Sequence, residues 1–169
     1  MTSHDSPDEN TTEPPFTNLF TRVTGSPDDP VGTWPYEGMV SVIERGNILD
    51  WKPLLRHLDE DPWGPVSRKL ERYLAYADEE DVVAFFRLMI RSSRQEAEAK
   101  EREEVSRRVR FAKEQSGLTS TEFAARIGTS ASRFSTYLNG SVMPSAALLV
   151  RMENVAALPH HTPHPVSED

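Results

Sequence analysis

The 169-residue chain contains no cysteine. A disulfide framework, a thiolate nucleophile and a cysteine-ligated zinc site are therefore excluded. The chain also lacks any apolar run close to the ~20 residues that a transmembrane helix needs. Its start, MTSHDSPDEN, has no basic region followed by an apolar core, which is the pattern of a secretory signal. We therefore expect a cytoplasmic protein with no membrane contact.

Signatures of catalysis are also missing. The sequence has no Gly-rich phosphate-binding loop and no nucleophile elbow. His57 is the only histidine between residues 33 and 158, and a surface position is its ordinary interpretation. Three further histidines lie in HHTPH at residues 160–164, where a tail rich in proline and histidine is a simpler interpretation than a weak metal site. We therefore expect no enzymatic activity, no cofactor and no bound metal.

Helix-breaking residues are absent from a long central stretch. No proline or glycine occurs from Glu79 to Ser116, and residues 91–104 are rich in strong helix formers. Opposite charges recur there at helical spacing, as in Arg94 and Glu98. The stretch predicts one long helix or two nearly continuous ones. The apolar stripe of its last part consists of Val105, Val109 and Ala112.

The two ends of the chain are poor in apolar residues. Residues 1–32 are rich in Pro, Asp, Ser and Thr and predict a disordered acidic tail, and residues 159–169 predict a second disordered tail. One small apolar cluster interrupts the first tail. The cluster either stays mobile or docks on the folded part or on a partner; it consists of Phe16, Leu19, Phe20 and Val23.

Residues 33–95 predict a helical domain. Pro35 suits the first turn of a helix that Gly46 ends, and Asp50 is a candidate cap for the next helix. The last helix of this region is apolar on more than one side, which is typical of a central core helix or of one shared with a second subunit. These two interpretations are compatible. The tryptophans of this half, which suit a self-interface or a partner interface, are Trp34, Trp51 and Trp63.

Residues 117–140 predict two short helices joined by a tight turn. Thr119 and Ser120 are suitable N-terminal caps, with Glu122 placed to complete the cap. Gly128 suits the end of the first helix, and Ser130 suits the start of the second. This arrangement is typical of a unit whose second helix lies in the major groove of DNA.

The order of residues resembles the phage-repressor/Cro-type (XRE) helix-turn-helix family over about residues 102–156. The residues that carry this resemblance are Leu118, Glu122, Phe123, Ala124, Ile127, Gly128, Ser130, Phe134, Tyr137, Asn139, Gly140, Pro144 and Leu149. The resemblance implies a lambda-repressor-like DNA-binding domain, which we place at residues 96–158. Together with the helical pattern of residues 33–95 and the long central helix, it predicts an all-α protein. The further helix that the family usually has is interrupted here by prolines, so we expect dimerisation through residues 33–95.

Charge is unevenly distributed along the chain. The net charge is −8, but residues 105–151 hold seven Lys or Arg against two Asp or Glu. A local excess of positive charge attracts phosphate over about 10 Å at ~0.1 M salt. The distribution therefore favours DNA binding by this part of the chain.

The resemblance also implies which residues contact DNA. The recognition helix is expected at residues 131–138, with Ala131, Ser132 and Thr136 facing the bases and Arg133 beside them. The residues expected at phosphates are Thr119, Ser120, Ser130, Asn139 and Ser141. Arg126 and Thr129 complete the DNA-binding set, and Arg108 is a candidate for additional charge.

Two functions follow from these observations. The first is a dimeric transcriptional repressor that binds a palindromic operator in double-stranded DNA through the helix at residues 131–138. The second is an antitoxin-like protein, in which residues 33–95 bind and neutralise a partner protein while the helix-turn-helix only autoregulates. A clean homodimer with tight operator binding favours the first, and co-purification of a second protein favours the second.

Overall fold

The computed structural model describes Phe20 and residues 24–158 of the chain. All regular structure in these residues is helical, which confirms the all-α prediction. A 3-10 helix at Val31–Thr33 precedes the α-helices. These are α1 (Tyr36–Arg45), α2 (Lys52–Glu60), α3 (Pro65–Leu74), α4 (Glu80–Gln115), α5 (Ser120–Ile127), α6 (Ala131–Leu138) and α7 (Ala146–Ala156). None of the helices described carries an apolar stretch long enough to cross a bilayer.

The chain divides into two compact units between Gln95 and Glu96, within α4. The N-terminal unit packs α1, α2, α3 and the first part of α4 around one apolar core. Its fully buried side chains include Met39, Ile43, Leu54, Leu58, Leu70 and Phe86. The exact domain limits given by the sequence stay a prediction.

Ordered structure begins before Thr33, within residues 1–32, for which the sequence predicts a disordered tail. Phe20 is buried and its ring lies 5.6 Å from that of Trp34, edge to face. A Cβ atom on Gly38 would lie 2.7 Å from the Phe20 ring, so only glycine leaves room for it in α1. Val31 is also buried. A few apolar side chains are enough to order a short segment when a surface that is already folded removes them from water. Phe16, Leu19 and Val23 lie outside the described residues.

Asp50 does not cap α2, which corrects the sequence-based prediction. The N-cap of α2 is Trp51, which makes no side-chain cap hydrogen bond. The Asp50 carboxylate instead accepts a hydrogen bond from the Asn47 backbone N–H over 2.8 Å and is buried. It therefore closes the turn between α1 and α2, because a carboxylate can satisfy a turn amide as readily as a helix amide.

Residues 80–115 form one continuous helix, which decides between the two arrangements that the sequence left open. In its first part Val83, Phe86 and Ile90 are buried in the core, whereas Leu88 is 52% exposed. The helix is thus part of the core and also displays apolar surface. Arg94 pairs with Glu71 of α3, with two bonds of 2.7 and 3.1 Å, rather than with Glu98 along its own helix.

The C-terminal unit packs the last part of α4 with α5, α6 and α7. Val109 and Ala112 of the predicted α4 stripe are buried, and Val105 is half-buried against the same core. The rings of Phe123 and Phe134 lie 5.2 Å apart at its centre. The remaining buried members are Ala124, Ile127, Tyr137, Leu149 and Met152. The prolines and histidines after Leu158 lie outside the described residues.

Candidate nucleic-acid interface

The start of α5 is fixed by a reciprocal cap. Thr119 is its N-cap; the Thr119 hydroxyl accepts a hydrogen bond from the Glu122 N–H over 3.3 Å, and the Glu122 carboxylate accepts one from the Thr119 N–H over 2.8 Å. The Thr119 hydroxyl also donates to that carboxylate over 2.7 Å. These bonds, the hydroxyl bond first, hold the pKa of Glu122 below its usual value. Thr119 and Ser120 are both exposed at this end of α5.

The turn between α5 and α6 is held from two sides. Gly128 has a φ of +80°, a left-handed conformation that glycine adopts without a steric cost. The next amide, of Thr129, donates to the Ala124 carbonyl over 2.9 Å. Arg151 of α7 donates through Nη1 to the Ile127 carbonyl over 2.9 Å. Backbone and side-chain bonds together therefore hold the end of α5, where the turn begins.

Helix α6 has the predicted bounds, Ala131–Leu138. Ser130 caps it, accepting a hydrogen bond from the Arg133 N–H over 3.2 Å. Phe134 and Tyr137 are buried and anchor one side of the helix to the core. The opposite side is thereby left available for a ligand.

The residues predicted to face bases, with Arg133 beside them, differ in exposure. Ala131, Ser132 and Arg133 are exposed, and Thr136 is half-buried. The Thr136 hydroxyl donates to the Arg133 carbonyl over 2.7 Å. Its proton is therefore used within the helix, and the oxygen lone pairs and the methyl group remain for contacts.

Arg133 is held along α6 rather than free in solvent. Its Nε donates to the hydroxyl of Tyr137 over 2.7 Å. The side chain is still exposed, and its two terminal nitrogens keep their donors. A pre-positioned guanidinium loses less conformational entropy when it binds a base or a phosphate.

Asn139 and Ser141 form a small turn after α6. The Asn139 side-chain carbonyl accepts from the Ser141 N–H over 3.0 Å and from the Ser141 hydroxyl over 2.6 Å. Both residues are exposed. The side-chain NH₂ of Asn139 keeps its donors, which suits a phosphate oxygen.

The positive charge of this unit is smaller than the window at residues 105–151 suggested. Residues 96–158 contain nine Lys or Arg and eight Asp or Glu, a net charge of +1. In this unit, three arginines from the last part of α4 are in ion pairs: Arg107 with Glu104, Arg108 with Glu153, and Arg110 with Glu103. The Arg108 guanidinium is therefore paired with a carboxylate of α7. Arg126 is exposed and has no ion-pair partner among residues 24–158, so it and Arg133 supply the cationic groups of α5 and α6.

Two arginines act in a way that the sequence did not indicate. Arg110 donates through Nη1 to the Leu138 carbonyl at the end of α6, over 3.0 Å, as Arg151 does at the end of α5. Each satisfies a carbonyl that a helix C-terminus leaves without an intrahelical partner. Counting basic residues cannot separate these internal donors from phosphate ligands, because the two roles use the same residue type.

One comparison with known proteins gives a match, and the match lies in the C-terminal part of the chain. No curated protein and no solved structure matches the chain significantly. Residues 104–162 match a family model described as a helix-turn-helix domain. The matched range includes all of α5, α6 and α7. The C-terminal part of the chain thus contains a helix-turn-helix domain, and this indicates DNA binding.

Proposed function

We propose that the protein is a sequence-specific transcriptional regulator of the phage-repressor/Cro type, acting as a dimeric repressor on a palindromic operator. The observation that carries this proposal is the presentation of α6. Buried Phe134 and Tyr137 fix the helix to the core, while Ala131, Ser132 and Arg133 stay exposed on its first turn. The first turn of a recognition helix is the part that contacts base edges.

The chemistry of these side chains supports direct readout of moderate strength. Ala131 and the Thr136 methyl group suit a thymine methyl, and the Ser132 hydroxyl bonds to several bases. Arg133 is the one long donor of α6 and suits guanine or a phosphate. The proposed phosphate ligands are Thr119, Ser120, Arg126, Thr129, Ser130, Asn139 and Ser141.

So few base-facing side chains favour the binding of two helix-turn-helix domains to one operator. Specific sites usually combine half-sites about one helical turn apart, which matches a two-fold symmetric dimer. We place the dimer contact in residues 33–95. Support comes from apolar side chains that the N-terminal unit leaves more than half exposed, namely Ile48, Leu49 and Leu88.

The test of DNA binding is a fluorescence anisotropy titration of the full chain. Labelled DNA from the region upstream of its own gene is compared with scrambled DNA at two salt concentrations. We expect selective binding that saturates at two protomers per site, and a loss of roughly tenfold or more for Arg133→Ala. The control is Arg68→Ala, which removes an exposed arginine from α3. Equal, weak and strongly salt-dependent binding to both DNAs contradicts the proposal.

The dimer is tested separately by sedimentation equilibrium with and without operator. Leu88→Asp places a charge on the proposed contact and is expected to shift the protein toward monomer. Thr24→Asp adds the same charge at an exposed position that precedes the helices and serves as the control. A protein that stays monomeric at micromolar concentration, free and on DNA, rules out the dimeric repressor.

The same exposed apolar side chains support a second candidate. Trp63 is also 42% exposed, and aromatic side chains are enriched at interfaces with other proteins. In the antitoxin-like alternative, the N-terminal unit neutralises a partner and the helix-turn-helix autoregulates. Purification from the native host discriminates the two: a stoichiometric second protein, lost in Leu88→Asp, favours the alternative.

A further inference from the structure

The N-terminal unit contains a second concave site that the DNA-binding function does not use. It is an open pocket of about 350 Å³ between α1, the end of α3 and the segment that leads to α4. Three tyrosines and three carboxylates supply most of its wall. The lining residues are Tyr36, Val40, Glu44, Tyr73, Tyr76, Ala77, Asp78 and Glu79.

One of these rings already accepts a cation in the structure. The guanidinium carbon of Arg72 lies 4.5 Å from the centroid of the Tyr36 ring. The Tyr73 side chain is buried, and its hydroxyl lies 3.5 Å from the Glu44 carboxylate, to which it donates. Aromatic faces and carboxylates both attract positive charge, the first through the ring quadrupole and the second through full charges.

Carboxylates of the pocket act on the Tyr73 hydroxyl. The pKa of Tyr73 is raised to about 12, first by burial and then by the charges of Glu44 and Glu79. A deprotonated phenol would add a further negative charge to these carboxylates, so the structure disfavours it.

The arrangement does not suit a metal ion. Among residues 24–158, no group of three acidic or histidine side chains is placed to hold one. Glu44, Asp78 and Glu79 therefore surround the pocket without converging on one point. A ligand that spreads its charge over alkyl groups contacts both the carboxylates and the rings.

We propose that this pocket binds a small alkylammonium ion. The tyrosine rings contact the alkyl groups that carry the charge, and Glu44, Asp78 and Glu79 compensate it from the rim. Val40 and Ala77 complete the apolar wall. The site is independent of the proposed DNA contacts, since all of its residues belong to the N-terminal unit.

The test uses choline as the probe and 3,3-dimethylbutan-1-ol as its neutral isostere. Binding to the full chain is followed by NMR shifts at Val40 and Ala77. We expect saturable shifts with choline and binding at least about tenfold weaker for the alcohol. Glu44→Gln is expected to weaken choline binding several-fold. Glu37→Gln, which removes an exposed carboxylate of α1 outside the pocket, is expected to leave it unchanged.

Three results would overturn the proposal. Equal affinity for choline and the alcohol means an apolar cavity with no preference for charge. An equal loss in Glu44→Gln and Glu37→Gln means only a general attraction of the acidic surface. The absence of saturable choline shifts means no site. Glu44 is exposed, so its substitution tests the pocket without disturbing the core, and Tyr36→Leu adds a test of the aromatic wall.

Discussion

The Tyr137 hydroxyl accepts a hydrogen bond from Arg133 Nε, one turn earlier in α6, over 2.7 Å. Tyr137 is 4% exposed and packs in the core of the C-terminal unit, whereas Arg133 is exposed. Tyr137 therefore contributes to the core and also orients the only long donor of α6, the proposed recognition helix. The stability of the domain and the geometry of its proposed DNA contacts are linked at this pair.

Tyr137→Phe tests this link, because it keeps the ring and removes the hydroxyl. We expect the domain to stay folded, with a change in unfolding free energy of about 1 kcal/mol, and operator affinity to fall by about three- to tenfold. Anisotropy titrations of Tyr137→Phe, Arg133→Ala and the double variant measure the coupling. If the losses of the two single variants simply add in the double variant, the hydroxyl does not act through Arg133.

Gly128→Ala tests the turn between α5 and α6. With φ at +80°, an alanine is expected to lower the unfolding free energy by about 1–2 kcal/mol. A Cβ atom there would also lie 3.4 Å from Arg151 Nη1, close to the bond that holds the end of α5. Urea unfolding measures the change, and Gly32→Ala is the control, since its Cβ meets only an ordinary contact at 3.7 Å. Equal effects of the two substitutions would contradict the account of the turn.

Thr119→Ala tests the cap of α5 and its dependence on pH. The pKa of Glu122 is lowered in the folded protein by its bonds to Thr119. Its stabilising contribution is therefore present above the glutamate pKa of the unfolded chain and is lost as the pH falls through the lower folded value. We expect Thr119→Ala to return the Glu122 pKa toward its ordinary value and to destabilise the domain at neutral pH. An NMR titration of the Glu122 carboxyl group measures the first effect.

The second expected effect of Thr119→Ala is on the pH dependence of stability. The difference in unfolding free energy between the parent protein and Thr119→Ala is expected to shrink in acid, once Glu122 is protonated in both. A difference that is constant from neutral to acidic pH would show that Thr119 acts without the Glu122 carboxylate.

Ser106→Ala tests a buried hydroxyl that has no hydrogen-bond partner among the described residues. Removing such a group is expected to leave the unfolding free energy unchanged or to raise it by about 1 kcal/mol. Ser93 is the matched control, because it is also buried in α4 and donates to Asp59 over 2.5 Å. We expect Ser93→Ala to cost about 1–3 kcal/mol in urea unfolding. A comparable loss in Ser106→Ala would reveal a partner for its hydroxyl.

The helix-turn-helix was predictable because its signals are local. Thr119, Gly128 and Ser130 each satisfy or end the backbone within four residues, so the limits of α5 and α6 follow from the sequence. The hydrogen-bond partner of Asp50 could not be predicted in this way. Its carboxylate had a turn amide and a helix end within reach, and only the folded backbone decides which it satisfies.

Features that depend on distant residues were not predictable. Arg110 and Arg151 bond to carbonyls 28 and 24 residues away, and Arg94 to a carboxylate 23 residues away. The sequence assigns such side chains a charge but no partner. The DNA contacts themselves stay a prediction, since the domain match supports binding and not the role of each residue.

The contact between Phe20 and Gly38 limits how far the chain can be shortened from its start. A truncation that begins at residue 24 would remove the phenyl ring that fills the space over α1, and Trp34 would lose its edge-to-face neighbour. Limited proteolysis is thus expected to yield a stable fragment that retains Phe20. A fragment without this ring would expose the surface around Gly38 and lose solubility or thermal stability.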